Sequence, residues 1–93
     1  HGSDGDEGRL VMIGAGDASW TTWERHPAGE EVVVVVSGRA TLVQERDGVE
    51  HRVELCDGQA AINPRGVWHT VDLAQPCRML FITPGHGTEH RPR

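Results

Sequence analysis

Glu31-Val32-Val33-Val34-Val35-Val36-Ser37 is the stretch whose reading decides the fold. Valine side chains lose rotamers in a helix and fit a pleated surface, so five in a row read as a strand. Apolar residues on both of its faces predict burial on both sides, either between two packed sheets or at a subunit interface. Working outward, Ser37-Gly38 turns the chain into residues 39–46, and Asp47-Gly48 turns it again into residues 49–55, a strong hairpin signal. Asp57-Gly58 leads into residues 59–62, Asn63-Pro64-Arg65-Gly66 makes a further turn before residues 68–73, and Pro76 precedes residues 77–83. In the other direction, Pro27-Ala28-Gly29 breaks off a Trp- and Thr-rich segment at 19–26, and Gly14-Ala15-Gly16-Asp17 closes an apolar run at 9–13. About eight short strands with no trustworthy helical period predict an all-β sandwich or barrel. Alternation places Val33, Val35, Leu42, Val53, Ile62, Val71 and Leu80 in its core.

A chain of 93 residues has room for one core. Residues 1–8, HGSDGDEG, read as a disordered remnant of a linker or tag, residues 9–84 as the barrel domain, and residues 85–93 as a polar tail. Within that tail His86, Glu89 and His90 are expected to be solvated, the alternative being a lid folded over the barrel mouth. The net charge is −5, which argues against nucleic acid as a partner, and the use of Arg for all nine basic residues reads as genomic composition bias. No apolar run approaches the roughly 18 residues of a membrane helix. Cys56 and Cys77 fit no metal spacing and read as free thiols, in keeping with a cytoplasmic protein.

Glu24, His26, Glu31 and His69 are the residues that could carry chemistry together. Positions two apart in a strand share a face, so Glu24 and His26 project together, with Trp20 and Thr22 beside them. Glu31 opens the next strand, and His69 follows a Pro-x-Gly turn that can hold it at a barrel end. Two imidazoles and two carboxylates form a ligand set for one divalent first-row metal such as Fe, Mn, Ni or Zn, and the sum with the ion is formally neutral. Without an ion, either one carboxyl pKa rises or a histidine is protonated as its partner. Spacing alone leaves a salt-linked surface pair as the plainer reading of Glu24 and His26.

The larger pattern resembles the cupin superfamily, with its motifs G-x5-H-x-H-x(3,4)-E-x6-G and G-x5-P-x-G-x2-H-x3-N. His26, Glu31 and Gly38 stand at the last three named positions of the first, and Gly58, Pro64, Gly66 and His69 match the second. Ala18 and Leu73 replace a glycine and the final Asn, and Glu24 stands where the first metal-binding histidine belongs. The resemblance implies a jelly-roll (double-stranded β-helix) barrel of two antiparallel sheets. It also implies a divalent metal held by Glu24, His26, Glu31 and His69, and a small-molecule ligand. Trp20 is expected to line the cavity, and Arg65 to reach its mouth and hold a substrate carboxylate; Trp23 and Trp68 point away and are expected in core or interface packing. No catalytic residue is assigned. The function implied is that of a metal-dependent small-molecule enzyme or, alternatively, of a metal-free binding or sensing module. A metal-free epimerase would need a tyrosine acid, and the chain has no Tyr. Valines on both strand faces and outward Trp residues further predict a homodimer.

Overall fold

The valine stretch is the third of nine strands in the computed structural model, which describes residues 9–84 and 86–93. The strands are β1 (Arg9–Gly16), β2 (Thr22–Arg25), β3 (Glu31–Ser37), β4 (Arg39–Arg46), β5 (Val49–Cys56), β6 (Ala60–Asn63), β7 (Trp68–Asp72), β8 (Cys77–Pro84) and β9 (Glu89–Pro92). Two antiparallel sheets pack face to face in the orders β1-β8-β3-β6 and β5-β4-β7-β2-β9. Among the described residues no helix is long and apolar enough to cross a membrane. The expected remnant at residues 1–8 lies outside the described residues.

Turn chemistry sets the registers. Asp47 and Gly48 both adopt positive φ, 54° and 76°, the two-residue hairpin geometry that Asp-Gly favours, and Arg46 pairs Val49 across it. Gly38, at φ 103°, has no room for a side chain: a Cβ there would lie 2.7 Å from the Pro76 carbonyl oxygen.

The core between the sheets holds Val33, Val35, Ala40, Leu42, Leu55, Val71, Cys77 and Met79. Four of the seven expected core residues are buried, and Val53 packs partly against them. Ile62 and Leu80 are corrections. Their cross-strand partners are Val32 and Val34, which alternate with the buried Val33 and Val35, so both point outward and Ile62 is 51% exposed. The C-terminal segment, expected as a polar tail, carries a ninth strand: β9 pairs β2 with Thr22 opposite Pro92 and Glu24 opposite His90.

Trp23 and Trp68 pack neither in the barrel core nor in the open. Arg25 stacks over Trp68 with its guanidinium 4.6 Å from the ring centroid, and Arg91 lies over both rings, 5.2 Å from Trp23 and 4.7 Å from Trp68. Trp23 is buried under this cover, so the two rings leave less bare apolar surface than their outward direction suggests.

Candidate metal centre

Strand register brings the candidate residues together from both sheets. In one sheet Glu24 of β2 lies opposite His69 of β7, and in the other Glu31 of β3 lies opposite Asn63 of β6. His26 follows β2, and its carbonyl accepts the Gly66 N–H at 3.1 Å. That turn closes with Val67 N–H donating to the Pro64 carbonyl at 3.1 Å and Gly66 at φ 73°, so the Pro-x-Gly segment fixes both His26 and the start of β7.

Glu31 is the floor of the site and is almost fully buried. Its Oε1 accepts from Asn63 Nδ2 at 3.0 Å and its Oε2 from Thr83 Oγ1 at 2.6 Å. Each oxygen also lies 3.1 Å from an imidazole Nε2, His69 on Oε1 and His26 on Oε2. Burial pushes the Glu31 carboxyl up, but the contacts from His26, His69 and Thr83 overcome it and hold the group well below the usual carboxylate range. Asn63 is held in turn by Gln44, whose Nε2 donates to Asn63 Oδ1 and to the Ile62 carbonyl, both at 2.9 Å.

Both Nε2 atoms are buried and neither has a hydrogen-bond partner of acceptable geometry, despite their closeness to Glu31. The His69 Nδ1 faces the Val67 carbonyl at 3.4 Å, which can only accept; with the proton on this nitrogen, as metal binding requires, Nε2 is free to present its lone pair inward. One ligating atom from each of Glu24, His26 and His69 lies within 4.8 Å of the others. Around a first-row ion with bonds of about 2.0–2.2 Å, neighbouring ligand atoms lie about 3.0–3.5 Å apart. The 3.1 Å separations of Glu31 from both imidazoles match such an edge. Two orphaned imidazole nitrogens flanked by carboxylates therefore fit a divalent cation.

Above this floor is a cavity of about 230 Å³, whose walls include Leu10, Met12, Trp20 and Phe81. Glu24, His26, Glu31, Thr83 and Thr88 supply its polar lining, and no Arg among the described residues takes part. Trp20 lines it, with its ring 6.3 Å from that of His69 and 5.8 Å from that of Phe81. Arg65 does not: its Nε donates to the Pro27 carbonyl at 2.6 Å and its side chain is exposed outside the cavity. A larger, shallower groove of about 550 Å³ near Gly16, Gly38 and Arg78 contains none of the candidate ligands.

Sequence reasoning missed Asn63, Gln44, Thr83 and Thr88, and brought His90 near the site only through the lid alternative. Asn63 precedes Pro64 and reads as part of the turn, whereas it ends β6 with its side chain inward. Thr83 lies two residues from the inward Phe81, a signal that alternation carries. Thr88 Oγ1 lies 2.9 Å from His26 Nδ1, and His90 Nε2 lies 3.2 Å from Glu24 Oε2. The C-terminal segment thus reaches the site, while His86, Glu89 and His90 remain exposed.

Two antiparallel sheets enclosing a His/Glu cluster at one end define a barrel protein of the jelly-roll class. The cupin domain family profile matches residues 7–83, and the chain belongs to that family. Among solved structures it is similar to a conserved protein with a double-stranded β-helix domain from Klebsiella pneumoniae, at TM-score 0.73 and 22% identity, covering 91% of this chain and 76% of that one. A cupin-2 domain protein from Shewanella frigidimarina gives TM-score 0.69 and 22% identity over 82% of this chain and 70% of that one. Hydroquinone 1,2-dioxygenase from Sphingomonas, solved with 4-hydroxybenzoate bound, gives TM-score 0.72 at 16% identity, with 85% of this chain and 60% of that chain covered. No curated protein matches the chain.

Proposed function

We propose that this cupin binds one divalent first-row metal ion through His26, His69, Glu24 and Glu31 and acts on a small, uncharged, largely apolar molecule admitted through the cavity above it. The observation that carries the reading is the pair of buried, unpartnered Nε2 atoms facing one carboxylate. Two carboxylates make the site formally neutral with the ion bound, and both histidines serve as neutral ligands. A bound metal would supply Lewis acidity or redox chemistry. The chain's own residues would orient the substrate, Trp20 and Phe81 offering ring faces and Leu10 and Met12 apolar contact. Among the described residues the lining offers no Arg to pair with an anionic substrate.

A metal-free binding module is the second reading, favoured by the Asn63 and Thr83 donors that satisfy Glu31 with no ion required. Elemental analysis of protein purified with neither chelator nor added metal separates the two. About one equivalent of Fe, Mn, Ni or Zn per chain is expected, and its loss in His69→Ala. A metal-free protein that gains no thermal stability from any of these ions would give the function to the binding module.

The same reading includes a homodimer formed through the outer face of the β1-β8-β3-β6 sheet. Val11, Ile13 and Ile62 are exposed there, and β1 is an edge strand with its whole length exposed. An apolar sheet face with an open edge, carrying charge only at its ends through Arg9 and Arg78, suits a two-fold partner that presents the same surface. Sedimentation at micromolar concentration is expected to give twice the chain mass, and a single-chain mass would refute this assembly.

A further inference from the structure

Beyond residue 83, where the family match ends, the chain returns to the site, and two of its contacts there are to candidate ligands. We propose that this C-terminal strap is an integral part of the metal centre, with Thr88 and His90 as positioning residues that orient His26 and Glu24 for the ion. The proposal rests on the metal-binding reading above and adds two residues to it.

The geometry divides the work between the two contacts. Thr88 Oγ1 lies 2.9 Å from His26 Nδ1; with the hydroxyl accepting from Nδ1–H, the Nε2 lone pair is turned toward the cavity. Glu24 stands where the family motif has a histidine. An imidazole at that position would be rigid, whereas a carboxylate turns freely about its last bond and must be held by one oxygen to present the other. His90 does this: its Nε2 sits 3.2 Å from Glu24 Oε2, while Oε1 is the oxygen nearer His26, at 4.0 Å from its Nε2. The unusual ligand and the added strand thus explain each other.

The strap is anchored firmly enough to serve. Glu89 pairs with Arg25 at 2.5 Å and Arg91 with Glu45 at 2.6 Å, and Arg91 lies over the Trp23 and Trp68 rings. At its end, Arg93 pairs with Asp72 and donates to the Trp20 carbonyl at 3.0 Å, which ties the strap to the cavity wall.

The test is a titration of chelator-stripped full-length protein with Zn²⁺ and Mn²⁺, followed by calorimetry, for the wild type and for Thr88→Val, Thr88→Ser, His90→Ala, Glu24→His and the Glu24→His/His90→Ala pair. Thr88→Val and His90→Ala should each weaken metal binding by roughly 10- to 100-fold, and Thr88→Ser, which keeps the hydroxyl, should bind as the wild type does. If His90 acts through Glu24, its removal should change affinity less than about twofold in the Glu24→His background. An equal loss in both backgrounds would mean that His90 merely holds the strand down, and would overturn the proposal. Unchanged affinity in Thr88→Val and His90→Ala would overturn it while leaving the metal-binding reading intact. A wild type that binds neither ion would remove both.

Discussion

Replacing Glu31 by Gln tests whether the floor of the site is built around a charge. The residue is 2% exposed, and burying a lone carboxylate costs several kcal/mol, so on burial alone the neutral amide should stabilise the protein. Opposing this are two hydrogen bonds to the ionised group, from Asn63 at 3.0 Å and Thr83 at 2.6 Å, with two imidazoles at 3.1 Å. A hydrogen bond to a charged group contributes about 1.5–3 kcal/mol and a neutral one about 0.5–1.5, so each of the two loses about 1–1.5 kcal/mol in the amide. That the Glu31 carboxyl is held below its ordinary range says that its surroundings favour the anion despite burial. Glu31→Gln in metal-stripped protein at pH 7 should therefore lose about 2–3 kcal/mol in urea unfolding, or roughly 10–20 °C in Tm for a domain of this size. Because the folded pKa is lowered, the difference between the proteins is full above the ordinary glutamate value of about 4.3 and narrows as pH falls below it. A Glu31→Gln variant as stable as the wild type, or more so, would refute the reasoning that the donors outweigh desolvation.

Three further outcomes follow from particular contacts. Gly38→Ala should cost about 2–4 kcal/mol, since a Cβ at φ 103° would meet the Pro76 carbonyl oxygen at 2.7 Å and Cys77 Cα at 3.0 Å; Gly58→Ala, at φ 79° with open space around it, should cost about 1–2, and equal losses in urea unfolding would contradict the clash. Cys56 should alkylate at once in the native protein, while Cys77, buried and with its thiol pushed up by burial and then by Asp57, should react only on unfolding; mass spectrometry finding two fast thiols would contradict its enclosure. Burial raises the Asp72 carboxyl, but Arg93 and Arg52 outweigh it and hold the group low, so its stabilising contribution is present at neutral pH and is lost as pH falls below about 4. Asp72→Asn should lower Tm at pH 7 and flatten the acid limb of the pH–stability curve, and an unchanged curve would show the ion pairs to be screened.

Strand existence was legible because turn chemistry is local. Asp47-Gly48 and Gly38 mark positions whose backbone demands those residues, and the valine run excludes a helix. Facing was less legible, because a run with apolar residues on both sides has no alternation to read. Ile62 was misplaced for that reason: its direction follows from pairing with Val32 across β3 and β6, a register between distant segments that no local signal sets. β9 was invisible for a different reason. It is docked by Arg–Glu pairs and by Arg91 stacked on Trp23 and Trp68, so it has no apolar period to betray it.

The site was legible to the same depth. Alternation and motif spacing bring Glu24, His26, Glu31 and His69 together, but they also set Glu24 and Glu31 against each other inside one low-dielectric barrel. In the structure the two have different partners. Glu31 lies at the floor, where Asn63 and Thr83 donate to it, while the Glu24 side chain, 26% exposed, stands at the mouth against His90. A second carboxylate is tolerable because the two anions have different partners and different access to water. It follows that the substitution of Glu for His at position 24 cannot be judged from the motif alone. Its effect depends on a histidine 66 residues later, on a strand outside the matched family region.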